Sequence, residues 1–282
     1  MSDSPSYYVP PNSKWPIFAA VSSLATVCGL LLLFNEITGA YLVLIIGLAF
    51  LFYTMYGWWR DVAIESEGGH YKEWEDMSFR WGMGWFIFSE VMFFAGFFGV
   101  LFYARSISVP DLGGVDSKLI WPGFQAEWPT AGPHYVNETF GTIPAFGVPL
   151  ANTLILLTSG ATITWAHWAL KVGDRRQLIM GMALTVLLGI FFLFLQAEEY
   201  IHAYNDLNLR LDTGIYGSTF FMLTGFHGLH VTIGTICLIV ITLRCLAGHF
   251  RPEHHFGFEA VAWYWHFVDV VWLFLFVVVY WL

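Results

Sequence analysis

Charge is what this sequence lacks most. Only 12% of its 282 residues are Asp, Glu, Lys or Arg, against 57% hydrophobic and 19% aromatic. A water-facing globular surface cannot be built from that mixture. Basic residues are the scarcer kind, 12 Lys and Arg beside 21 Asp and Glu for a net charge of −9. Nucleic acid is thereby excluded as a partner, because phosphate binding needs a basic face. Cysteine is nearly absent too. Cys28, Cys237 and Cys245 lie within or at the ends of apolar runs, at spacings that suit neither a disulfide framework nor a zinc site. The chain carries no activated nucleophile, no phosphate-cradling glycine loop, no clustered Cys/His array, no internal repeat and no low-complexity tract.

Long apolar runs are present in quantity. A helix needs ~20 residues to cross the hydrocarbon of a bilayer, and seven runs reach that length, at 16–35, 40–59, 81–104, 146–170, 178–200, 217–247 and 257–282. They are continuous, without the alternation of barrel strands, so they predict helices. The first run is too long for a signal peptide and no small-residue cleavage site follows it. The fold class expected is an all-α polytopic membrane protein. Seven spans put the termini on opposite sides. With the N-terminus inside, the inner segments hold Lys14, Arg60, Lys72, Arg80, Lys171, Arg175, Arg176, Arg244 and Arg251, and the outer ones only Arg105, Lys118 and Arg210. That asymmetry follows the positive-inside rule.

The connections divide the chain unevenly. Residues 1–59 form an N-terminal tail and a two-helix hairpin turned at NEITG, and residues 60–80 are expected as a charged, solvated inner linker. Residues 81–282 supply a five-helix bundle interrupted by a long outer loop at 105–145. Loops of that length are usually functional or disordered. Its interleaved Trp121, Phe124, Trp128, Tyr135 and Phe140 predict a packed surface, against another subunit.

Ionisable residues inside the spans are the candidates for chemistry, since a charge in hydrocarbon costs several kcal/mol and is retained for a reason. Glu90 sits alone in WGMGWFIFSEVMFFAGFFGVLFY. His227 and His230 in GFHGLHVTIG, and His266 and Asp269 in WYWHFVDVVW, fall at about the same depth, counting ~1.5 Å per residue. Pairing of acid with imidazole is the expected solution, with a neutral Glu90 bonded to a histidine of span six, His230 before His227. His266 and Asp269 should face the bundle or a partner subunit. Two readings of these groups fit, helix-to-helix glue or a proton route. Neither needs a metal, and His167 reads as a packed or interfacial histidine. Thr224, Gly228 and Thr232 form a small-residue stripe that would admit another helix closely, and Gly96, Gly99, Gly181 and Gly189 add others.

The same segments carry a family resemblance. SEVMFF in span three, FGVPLANTLILLTSG in span four, QAEEY in span five, YGSTFFMLTGFHGLHVTIG in span six and HHFGFEAVAWYWHFVDVVWLFLFVVVYW at the end, with WWRD at Trp58–Asp61, resemble subunit III of cytochrome c oxidase over nearly the whole chain. All seven spans point to the aa3-type haem–copper oxidases rather than to quinol oxidases. The match is incomplete. Ala166-His167-Trp168 stands where the family often has two histidines, and DSKLIWPGFQAEWPTAGPHY expands the outer loop as in some proteobacteria. The localisation implied is the inner membrane of a bacterium.

The resemblance implies an accessory subunit of a proton-pumping oxidase, with no catalytic centre, metal or redox cofactor of its own. Haem A, CuA and CuB would belong to partner subunits I and II, with subunit I in direct contact. Spans one and two would diverge from three to seven as a V-shaped cleft holding phospholipids. The subunit would support proton uptake and protect the complex from inactivation during turnover. Glu90 matches the family's protonatable mid-membrane carboxylate. For the lipids, basic pockets between helices bind head groups, so Arg244, Arg60, His254 and His255 are expected at phosphate, with Trp59 and Phe86 on the acyl chains. The alternative for Arg244 is a simple interfacial anchor.

Overall fold

The computed structural model of the protein describes residues 8–135 and 139–282. The first seven residues of the expected tail and residues 136–138 of the outer loop lie outside them. Among the described residues seven helices are long and apolar enough to span a membrane, and the chain is an all-α polytopic membrane protein. We label them α1 (Trp15–Phe34), α2 (Ala40–Glu67), α3 (Glu73–Tyr103), α4 (Val148–Val172), α5 (Arg175–Asn205), α6 (Gly214–Ala247) and α7 (Phe256–Leu275). Several run well past the apolar stretches that announce them. Helical hydrogen bonding continues into the charged flanks, whereas hydropathy stops at the edge of the hydrocarbon. The expected linker at 60–80 is accordingly a correction: α2 and α3 take up most of it, leaving a turn from Gly68 to Lys72. At the other end α3 continues through a π-helical turn, Ala104–Ser108, and a short helix, Val109–Leu112.

The chain divides into two compact units, the first ending at Phe79 and the second beginning at Arg80. In the first, α1 and α2 pack as a tight antiparallel pair. A Cβ on Gly29 would lie 2.5 Å from the Leu44 backbone, and one on Gly47 would lie 2.6 Å from that of Thr26. Only hydrogen fits there. The polar ends of this unit are tied by side chains. The Trp15 indole donates to Asp61 at 2.6 Å, and the Tyr8 amide donates to Glu75 at 2.7 Å. The Tyr71 hydroxyl donates to Glu65 at 2.7 Å. Burial, together with that bond and the negative charge of Glu65, holds the Tyr71 phenol above its ordinary pKa.

The second unit is built around two tryptophans of α7. Trp265 and Trp272 are fully buried, and each indole N–H meets a hydroxyl of α4, Ser159 at 2.6 Å and Thr153 at 3.0 Å. Backbone geometry makes the space. A Cβ at Gly234 on α6 or Gly189 on α5 would come within 2.9 Å or 3.0 Å of the Trp265 ring. Between α4 and α5 the reversal takes two residues. Gly173, at φ 76°, ends one helix and Asp174 caps the next by accepting from the Gln177 amide.

Close helix approach thus occurs at Gly181 and Gly189, as expected, and at Gly234, whereas on the expected stripe only Thr224 meets another helix, its buried hydroxyl accepting from Tyr200 at 2.7 Å. A Cβ at Gly228, Gly96 or Gly99 would meet nothing within 4 Å, and Thr232 is exposed. Aromatic residues of the outer loop are packed, as expected. They pack on the chain's own bundle: Phe140 stacks on Tyr216 at 5.4 Å, Trp128 meets the same ring edge-on at 5.6 Å, and Phe124 is buried.

Candidate functional site

Helices α3 and α6 bring Glu90 to His230. Glu90 Oε2 lies 2.8 Å from His230 Nε2, while His230 Nδ1 donates to the Phe226 carbonyl at 2.6 Å. A carbonyl can only accept, so the Nδ1 proton is committed one turn back along α6. The Glu90 contact therefore takes a single further proton, carried by the acid or by the imidazole. Phe93 and Phe94 flank the imidazole at 5.8 Å and 4.9 Å. The arrangement can hold one proton in an aromatic enclosure while joining two helices.

The other mid-span residues are not part of that pair. His227 points away, fully buried between Phe192 and Trp272 at 5.9 Å and 5.2 Å. Neither of its ring nitrogens has a hydrogen-bond partner among the described residues, so its expected pairing is a correction. Three residues along α6, a difference of about 60° around its axis, separate a polar contact from an aromatic slot. Asp269 is buried against α4 at Gly160, whereas His266 is about half exposed and bonds Thr164 at 3.3 Å. Their closest atoms are 4.0 Å apart, too far for a hydrogen bond.

Two polar clusters escaped the sequence reading. In the first, buried Glu199 accepts from the Tyr280 hydroxyl at 2.7 Å and the Gln196 amide at 3.0 Å, and Gln196 in turn reaches Asn152 at 3.4 Å. Three spans are joined by it. The available signal was QAEEY, four polar residues closing an apolar run. In the second, His167 near the end of α4 meets His255 and Glu259 at the start of α7. Arg80 pairs with the far oxygen of Glu259. No spacing rule could have joined residues 88 apart in sequence.

Comparison with known proteins bears on the whole chain. The sequence profile of the family described as cytochrome c oxidase subunit III matches residues 5–282. The chain belongs to the cytochrome c oxidase subunit III family. It is similar to cytochrome c oxidase subunit 3 of Osphranter robustus, 46% identical over 94% of this chain and 92% of the relative. Subunits of the same name from Equus asinus and Bos taurus are each 45% identical over the same shares. As a subunit III chain it is an accessory subunit of the oxygen-reducing oxidase, embedded in the membrane with other oxidase subunits.

The residues expected at lipid are scattered within this subunit III fold. Trp59 and Arg60 are exposed near the end of α2 in the first unit. In the second, Phe86 is about half exposed and stacks on Tyr264 at 6.1 Å. The Arg244 guanidinium lies 4.7 Å from the centre of the Phe250 ring. His254 is exposed, but His255 is not available to a head group. Its ring is buried, with Nδ1 donating to the Arg251 carbonyl and Nε2 facing His167 and Glu259. His255 is therefore a packing residue of the bundle and not, as expected, a lipid contact.

Proposed function

We propose that this subunit braces the oxidase and holds structural phospholipid, supporting proton uptake by subunit I and prolonging the working life of the complex. Its setting would be the inner membrane of a bacterium, N-terminus inside, with haem A, CuA and CuB in subunits I and II. The observation that carries the reading is the use made of polar groups within the spans. Glu90–His230 and Glu199–Tyr280–Gln196 each join helices to one another, which is the work of a brace. Large apolar faces are left for lipid or a partner subunit, as at Trp81, Trp85, Phe88 and Met92 on α3. At one end of α6, Arg244 on its phenylalanine shelf sits among the basic residues that the positive-inside rule assigns to the inner surface. A guanidinium there suits lipid phosphate through paired hydrogen bonds.

The test is Arg244→Ala in the assembled oxidase, with oxygen consumption followed continuously and phospholipid content measured. The initial rate should stay near that of the wild type, while activity decays faster and lipid is lost. A variant that keeps both its lipid and its turnover lifetime would show Arg244 to be an anchor alone.

A further inference from the structure

His167, His255 and Glu259 converge on one point. Their facing atoms form a nearly equilateral triangle: His167 Nε2 to His255 Nε2 is 3.2 Å, His255 Nε2 to Glu259 Oε1 is 3.2 Å, and His167 Nε2 to Glu259 Oε1 is 3.4 Å. Zinc binds imidazole nitrogen and carboxylate oxygen at ~2.0–2.2 Å, so three corners of its tetrahedron stand roughly 3.3 Å apart. The triangle has that edge.

The supports of the triangle are those of a ligand set. His255 Nδ1 donates to the Arg251 carbonyl at 3.1 Å, which fixes the tautomer and turns the Nε2 lone pair toward the centre. Arg80 engages Oε2 of Glu259, orienting the carboxylate and leaving Oε1 to the triangle. Helix α7 holds His255 and Glu259 four residues apart at its first turn, so both present one face. His167 comes from the last turns of α4 and closes the third corner. Exposure is graded: the His167 side chain is 20% accessible against 8% for His255 and 11% for Glu259. The fourth corner of a tetrahedron therefore opens past His167 to the outside, where water can occupy it.

We propose that these three residues bind a first-row divalent cation of the zinc type, in a two-imidazole, one-carboxylate site that staples the end of α4 to the start of α7. The donors suit zinc; calcium and magnesium would want oxygen throughout. No electron transfer is involved, and the site acts by cross-linking two helices at the membrane surface.

The test uses the purified oxidase, stripped with a chelator and then titrated with zinc. Bound zinc is counted by elemental mass spectrometry, and its neighbours are read by zinc K-edge absorption. The wild-type complex should retain one zinc more than complexes carrying His167→Gln or His255→Gln, or should bind it at least tenfold more tightly, in line with the ~10–100-fold cost of disturbing even outer partners of a metal. The difference spectrum should show two imidazole nitrogens at ~2.0–2.1 Å. His167→Gln is the decisive variant, because its partly exposed ring can be lost without opening the core; haem content and subunit complement serve as the folding control. Equal stoichiometry and affinity in wild type and His167→Gln, in complexes of equal composition, would overturn the site and leave a hydrogen-bonded cluster. So would a wild-type spectrum lacking the imidazole pair.

Discussion

A carboxylic acid in the middle of an apolar helix is tolerated here because its partner is aimed by a third group. The Phe226 carbonyl takes the Nδ1 proton of His230, and only then does Nε2 have a defined task, the contact with Glu90. Glu90→Gln keeps a hydrogen-bonding group at that place, so oxidase turnover should fall by no more than about twofold. Glu90→Ala should behave differently. It strands a poorly accessible imidazole nitrogen, a loss of about 1–3 kcal/mol, and subunit III should separate from the complex at lower temperature in a thermal melt. A large loss of proton pumping in Glu90→Gln, measured in vesicles, would instead mark the pair as a proton relay. His227 gives the contrast. With no polar partner among the described residues and aromatic rings on two sides, its replacement by Phe should cost little or even stabilise, read from the same melt.

Between helices, the deciding contacts are glycines that face backbone or tryptophan. Gly47→Leu would drive a side chain into the α1 backbone at Thr26, and Gly234→Leu into the Trp265 ring. Both should fail to yield stable subunit, since overpacking a contact with no slack costs at least ~1–3 kcal/mol. A Cβ at Gly228 would meet nothing within 4 Å, so Gly228→Leu has open space to grow into. The isolated subunit should therefore fold normally, and expression yield with helical content by circular dichroism checks the three together. If Gly228→Leu folds but no longer joins the oxidase, that face of α6 belongs to a partner. The α4–α5 turn adds a smaller effect. Gly173→Ala, at φ 76°, should cost about 1 kcal/mol.

For the molecule as a whole, the arrangement of charge predicts its placement in the membrane. Nine of the twelve Lys and Arg residues fall on segments that share one side when seven spans are threaded alternately. Single cysteines introduced near residue 12 should be protected from an impermeant thiol reagent in intact cells, and those near residue 118 should be labelled. The reverse pattern would invert the topology proposed above.

Span number, helical character and family were legible in the sequence because they depend on local composition and on ordered motifs. Twenty apolar residues must be a helix in hydrocarbon wherever they stand, since the backbone has no other way to satisfy itself. The Glu90–His230 contact was legible as well, because equal depth in a bilayer restricts which residues can meet. Rotation about the helix axis was not. His227 and His230 share a helix and a depth range, yet one lies in an aromatic slot and the other meets the acid. The small stripe through Gly228 was visible in sequence, yet it is Gly234, outside that stripe, that faces a tryptophan. The same holds for the three-cornered site. His167 lies on a different span from His255 and Glu259, and in sequence His255 reads with its neighbour His254 as a lipid-surface residue. Sequence determined how many helices cross and how deep each polar group lies. The packing of α4 on α7 decided which of those groups face each other, because azimuth is set by the fit of side chains between helices and not by the order of residues along one.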